Sequence, residues 1–126
     1  MDLLERLHHF MEETASEHMP DAAARLVELL ESDQVEPLGA PGKRVPAEDV
    51  ADRLEERMRK MQRRGDVPAG IELLEDAVAH LRAVDGAQVL PFAFEDGDGV
   101  RWFVLADEGD DVVACYTSEP FVEAEV

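Results

Sequence analysis

Residues 86–117 read GAQVLPFAFEDGDGVRWFVLADEGDDVVACYT, and here the spacing of apolar side chains changes from about 3.6 to about 2. Gln88–Phe94, Val100–Ala106 and Val112–Thr117 are rich in β-branched and aromatic residues and read as three strands. Asp96-Gly97 within EDGDG predicts a hairpin, because glycine tolerates the positive φ that primed two-residue turns demand. DEGDD places Gly109 in a second turn for the same reason. The result is an antiparallel meander. Pro91 has no backbone N–H to give to a ladder, so the first strand is expected at a sheet edge. Alternation then groups Leu90, Phe92 and Phe94 with Phe103, Leu105, Val113 and Cys115 on one face. Trp102, Val104, Val112, Ala114 and Tyr116 fall on the other. Both sets are apolar, so both faces need cover, from the tail Phe121–Val126, a helix or a second copy. An open face would leave Trp102 and Tyr116 in a patch larger than monomers tolerate, which predicts homodimerisation through the sheet.

Upstream of Gly86 the apolar period is helical. A first helix is expected from Asp2 to His18, with Pro20 as its stop and Leu3, Leu4, Leu7, Phe10, Met11, Thr14 and Ala15 in one sector. His18 points to the middle of that sector and His9 away from it. A second helix follows Pro20 and buries Leu26, Leu29 and Leu30. Residues 33–46, DQVEPLGAPGKRVP, contain three prolines and two glycines and form an irregular connection, with a short extended piece near Val35–Leu38. A third helix is well marked: Pro46, Glu48, Asp49 and Asp52 at its start, Gly65 after its end, and Val50, Leu54, Met58 and Met61 as its stripe. A fourth runs from Pro68 to before Gly86 and buries Ile71, Leu74, Val78, Leu81 and Val84. The predicted class is α+β, with about four N-terminal amphipathic helices followed by a three-stranded antiparallel β-meander. Residues 1–85, 87–117 and the tail 118–126 share one domain and one core, since neither larger part can bury enough surface alone.

The chain has 126 residues and is 45% hydrophobic, a composition that folds. Thirty acids against 12 Lys and Arg give a net charge of −18. Such a field repels nucleic acid and anionic lipid and attracts basic proteins or cations. Three explanations compete: a solvated surface that maintains solubility, in a salt-rich cytoplasm among other settings, an acidic surface that docks a basic partner or imitates nucleic acid, and binding of divalent metal. The start Met-Asp-Leu-Leu-Glu-Arg lacks the positive region of a signal peptide, and no apolar run reaches the ~18 residues of a membrane span. With the lone Cys115, which has no intramolecular partner, these features predict a soluble cytoplasmic protein.

Candidate chemistry is sparse. Glu5 and His8 stand in E-x-x-H spacing with Glu12 one turn on, the pattern of helix-borne metal ligands. No second E-x-x-H completes the shell, and i,i+4 pairing of His8 with Glu12 and His9 with Glu13 accounts for the residues. His80 follows Asp76 by one turn but lacks a nucleophile, while Ser16, Ser32 and Ser118 lack a nucleophile elbow. Cys115 sits in a strand without a cation to activate it. GAPGKR at 39–44 departs from a phosphate loop at Pro37 and Arg44, and DGDG at 96–99 departs from a calcium loop at Leu105. No catalytic residue, metal or cofactor is therefore expected. Arg57, Arg59, Lys60, Arg63 and Arg64 concentrate five cations at the end of the third helix, more than a helix dipole needs, and with Trp102 and Tyr116 they are the expected partner-binding residues. The function expected is that of a small acidic non-enzymatic protein-interaction module, an adaptor, inhibitor or immunity-type factor with a basic protein partner. One alternative is a small metal-dependent or small-molecule enzyme using His8, Glu12, His18 or His80. The other is a salt-adapted domain whose acidity is unrelated to function.

Overall fold

The meander forms, and its outer side carries two short strands, the expected extended piece at Val35–Pro37 and an unexpected one at Val45–Pro46. The computed structural model describes residues 3–39, 43–64, 68–84, 86–109 and 111–117. In chain order the elements are α1 (Leu3–Glu13), α2 (Met19–Glu31), β1 (Val35–Pro37), β2 (Val45–Pro46), α3 (Ala47–Arg64), α4 (Pro68–Ala83), β3 (Gln88–Asp96), β4 (Arg101–Ala106) and β5 (Val112–Thr117). Gly65, Ser118 and the tail Phe121–Val126 lie outside the described residues, as do the side chains of Met61 and Arg64. The class is α+β with an antiparallel sheet, in the order β1-β3-β4-β5, and β2 pairs with β3 as well. No helix among the described residues is long and apolar enough to cross a membrane.

The sheet has five strands and not three, because β1 and β2 line up one after the other along β3. Val35 pairs with Asp96 and Val45 with Val89, so Val35–Pro37 and Val45–Pro46, within a stretch expected as an irregular connection, cover parts of the edge that β3 would otherwise expose. Strands of two or three residues carry no measurable period, which is why only the Val35–Leu38 piece was expected. β3 is consequently flanked on both sides. Pro91 is nonetheless tolerated for the expected physical reason. The Asp96 N–H bonds to Val100 and the Ala93 carbonyl accepts from Leu38, so alternate residues of β3 face alternate neighbours. By that alternation Pro91 faces the β1/β2 side, in the gap between the two short strands, where no ladder bond is lost.

The β3–β4 hairpin also corrects the expected faces. A two-residue Asp96-Gly97 turn would bring even positions of β3 opposite odd positions of β4. The loop instead holds three residues, Gly97–Gly99, closed by Asp96 N–H to the Val100 carbonyl at 3.0 Å and Gly99 N–H to the Asp96 carbonyl at 3.1 Å. Gly99, at φ +82°, takes the left-handed position while Gly97 does not. The one-residue difference pairs Phe92 with Val104 and Phe94 with Trp102. One face therefore carries Leu90, Phe92, Phe94, Trp102, Val104 and Cys115, and the other carries Phe103, Leu105, Ala114 and Tyr116. Both turns share one device. The Asp96 Oδ1 accepts from Asp98 and Val100 N–H at 2.8 and 3.0 Å, and Asp107 Oδ1 accepts from Gly109 and Asp111 N–H at the same distances. Gly109 is not left-handed, so the second turn rests on Asp107 and not on its glycine.

Helices cover the sheet. α1, α2 and α4 all contact β5, and α3 packs beside α4. Leu7, Leu26, Leu81, Val104 and Cys115 are fully buried and belong to one cluster built from helices and strands together. Each such aliphatic side chain contributes about 1.5–3 kcal/mol on leaving water. The buried stripe of α4 includes Leu74, Val78 and Leu81 as expected, together with Leu73 and Ala77. The first helix is shorter than expected: it stops at Glu13, and Pro20 belongs to the first turn of α2, where its missing N–H costs nothing. Residues 14–18 are thereby released from helix, and they build a polar cluster against α4.

Candidate functional site

Asp76, near the middle of α4, anchors the α1–α2 turn. Its Oδ2 accepts from Ser16 Oγ at 2.7 Å, His18 Nδ1 at 2.9 Å, and the backbone N–H groups of His18 and Glu17 at 3.0 and 3.1 Å. Ser16 Oγ accepts in turn from His18 and Met19 N–H, at 3.2 and 2.9 Å. These are the amides at the start of α2, which has no capping side chain of its own at His18. Asp76 and Ser16 together thus cap α2 from a different helix. His18 Nε2 lies 3.2 Å from Glu72, so the imidazole is held between two carboxylates. The bond to Asp76 holds the His18 pKa above the usual 6.5, against partial desolvation. Burial pushes Asp76 up, but the bonds from Ser16 and His18 outweigh it and hold the carboxyl below its usual 3.8.

His80, one turn along α4, is directed elsewhere. Its Nδ1 lies 3.1 Å from the Asp76 backbone carbonyl, which can only accept, so Nδ1 carries the proton. Its Nε2 lies 3.0 Å from Thr14 Oγ1. The cluster thus contains serine, histidine and aspartate without the order that nucleophilic catalysis needs. Ser16 donates to Asp76 and not to an imidazole, and its oxygen already accepts two backbone amides. Cys115 is fully buried, and burial pushes its thiol up to about 12, so it supplies no thiolate. His8 and Glu12 lie exposed on α1. Among the described residues no group of three or more His, Cys, Asp or Glu is placed to hold a metal ion, and Glu5, His8 and Glu12 are no exception.

A second feature is a mostly apolar cleft of about 410 Å³ between α3 and the sheet. Val50, Arg53, Leu54 and Arg57 form the helical wall, because positions three and four apart share one face of a helix. Pro91, Phe103, Leu105 and Tyr116 form the sheet wall, and Lys43 and Val45 complete the lining. Phe103 and Tyr116 are cross-strand neighbours whose rings stack at 5.3 Å and 24°. Tyr116 is pushed up to about 12 by burial, with Arg57 and Arg53 pulling the other way. The lining contains three cations and, among the described residues, no acid. Outside the lining, Arg25 pairs with Glu28, Arg59 with Glu56, Arg101 with Glu95, and Arg82 with Asp52 and Glu55; of the cleft cations, Lys43 and Arg53 form no ion pair with a described residue.

No family model, curated protein or solved structure matches this chain. Site assignment therefore rests on geometry. Of the cations singled out in the sequence, Arg57 enters the cleft, Arg59 is exposed and paired, and Lys60 and Arg63 are exposed along α3. Arg53 and Lys43 are the cleft cations that the sequence argument missed. The available signal was Arg53 standing four residues before Arg57 beside the Val50–Leu54 stripe. Trp102 and Tyr116 do not form the expected open patch: they are 3% and 6% exposed on opposite faces, and Trp102 Nε1 donates to Asp96 Oδ2 at 3.2 Å. Phe92 and Phe94 share the Trp102 face, whereas Tyr116 stacks on Phe103, so the register and not a partner decides their burial.

Proposed function

We propose that this chain is a non-enzymatic interaction module, an adaptor, inhibitor or immunity-type factor that holds a basic protein partner in a reducing compartment such as the cytoplasm. The observation that supports this is the sorting of charge. Glu12, Glu13, Asp21 and Glu31 are exposed on α1 and α2, and none forms an ion pair with a described residue. Of the 12 Lys and Arg, six stand on α3 beside five acids, and Lys43 joins Arg53 and Arg57 at the cleft, whereas α1 and α2 carry six acids and only Arg6 and Arg25. Unneutralised carboxylates on one pair of helices repel one another until a basic surface meets them, which gives fast and salt-sensitive association. Catalysis finds no comparable support, since Ser16, His18, His80 and Cys115 are each committed to structural bonds or to the core.

The test is affinity capture with the wild-type chain and with a Glu12→Lys/Glu13→Lys/Asp21→Lys/Glu31→Lys variant of equal circular dichroism. A basic protein retained by the wild type, lost by the variant and released by about 0.5 M salt is the expected result. Retention of the same proteins by both baits contradicts the proposal.

A further inference from the structure

We propose that the cleft between α3 and the sheet binds a small amphipathic carboxylate, an aromatic or aliphatic body carrying one acid group. Its volume of about 410 Å³ falls within the roughly 300–1,000 Å³ of small-molecule sites. Charge selects the ligand's sign: Lys43, Arg53 and Arg57 stand around it, and none of the chain's 30 acids lines it among the described residues. Neither Lys43 nor Arg53 forms an ion pair with a described residue, in contrast to the arginines paired elsewhere. A positive enclave in a chain of net charge −18 raises the local concentration of small anions that the rest of the surface repels.

The walls select the body. Leu54 and Leu105 are buried beneath the cleft, and the stacked Phe103 and Tyr116 rings offer an aromatic surface for offset packing. The same geometry favours a carboxylate over a phosphate. Phosphate sites converge several backbone N–H groups on the anion at a helix start or glycine-rich loop. Here the lining of α3 begins at Val50, a turn inside the helix, and the cations stand at the rim of a mostly apolar surface. An arginine fork meets a carboxylate in that setting without further donors. The site is separate from the exposed acids of α1 and α2, so either proposal can fail while the other stands.

The experiment is isothermal titration calorimetry of the full chain with 4-phenylbutyrate, its neutral amide, acetate and phenyl phosphate. 4-Phenylbutyrate should bind with a dissociation constant tighter than about 1 mM, and the amide and acetate at least about tenfold more weakly. Arg53→Gln and Lys43→Gln, both at exposed positions, should each weaken it about three- to tenfold at unchanged circular dichroism and thermal midpoint. Arg59→Gln, which removes the same charge outside the cleft, should leave it unchanged. Absence of wild-type binding overturns the proposal, as does equal binding of the amide or equal weakening by Arg59→Gln. Tighter binding of phenyl phosphate overturns the carboxylate assignment.

Discussion

Replacing Asp76 with alanine should destabilise the fold by about 2–3 kcal/mol. The figure follows from what the carboxylate holds. Loss of a helix cap alone costs about 1 kcal/mol, and Asp76 also receives the Ser16 hydroxyl, the Glu17 and His18 amides and the His18 imidazole. Hydrogen bonds to a charged group contribute about 1.5–3 kcal/mol each when buried. The Asp76 side chain is 27% exposed, so water recovers part of that loss and the contributions do not add in full. Asp76→Asn keeps an acceptor and loses the charge, so it should cost about 1 kcal/mol. Urea unfolding followed by circular dichroism near pH 6 gives both values, and the alanine change corresponds to roughly 8–12 °C in thermal midpoint. The exposed neighbour Glu75→Ala should stay within about 0.5 kcal/mol. A loss below about 0.5 kcal/mol for Asp76→Ala would show that the turn and α2 hold themselves, and that the anchoring argument is wrong.

Further outcomes follow from the same contacts. His18, raised above 6.5, contributes stability that is complete below that value and is lost as pH rises through its folded pKa. Asp76, lowered below 3.8, contributes stability that is present above that value and is lost as pH falls through its folded pKa. Unfolding free energy should therefore peak between these limits, and His18→Gln should flatten the alkaline side. Gly99→Ala forces a side chain into φ +82° and should cost about 1–2 kcal/mol, whereas Gly97→Ala, outside the left-handed region, should cost less than about 0.5 kcal/mol by chemical denaturation. Cys115 should resist a thiol reagent at pH 8 in the folded chain and react at once in urea, because its thiol is buried and pushed up to about 12. Thermal midpoints should rise between about 0.05 and 1 M salt as repulsion among the 30 acids is screened, and a midpoint that does not move would remove self-repulsion from the account.

The helices and long strands were legible because each repeats a period over ten or more residues or alternates over six. β1 was legible only as a short extended piece near Val35–Leu38 and β2 not at all, since two or three residues cannot display a period and only the exposed edge of β3 calls them into strand. The hairpin was legible but its register was not. EDGDG holds two glycines, and whether Gly97 or Gly99 takes the left-handed position shifts every side chain of β4 to the other face. Asp76 was legible only as a neighbour of His80, because its partners lie 58 to 60 residues away and belong to a turn that the apolar period had assigned to a helix. Of the cleft, Arg57 was visible within a basic run. Arg53 and Lys43 gain their meaning only once α3 lies across Phe103 and Tyr116.

The reading of the Ser16, His18 and Asp76 cluster as a structural anchor depends most directly on the Asp76 carboxylate being occupied by structural donors. Long-range ¹H–¹⁵N spectra of the four imidazoles across pH test that claim. The account predicts that His18 remains doubly protonated above its ordinary 6.5 in the wild type and returns toward that value in Asp76→Asn. A His18 that titrates at or below 6.5 in the intact fold would mean that the Asp76 bond does not hold the charged imidazole, and would contradict it.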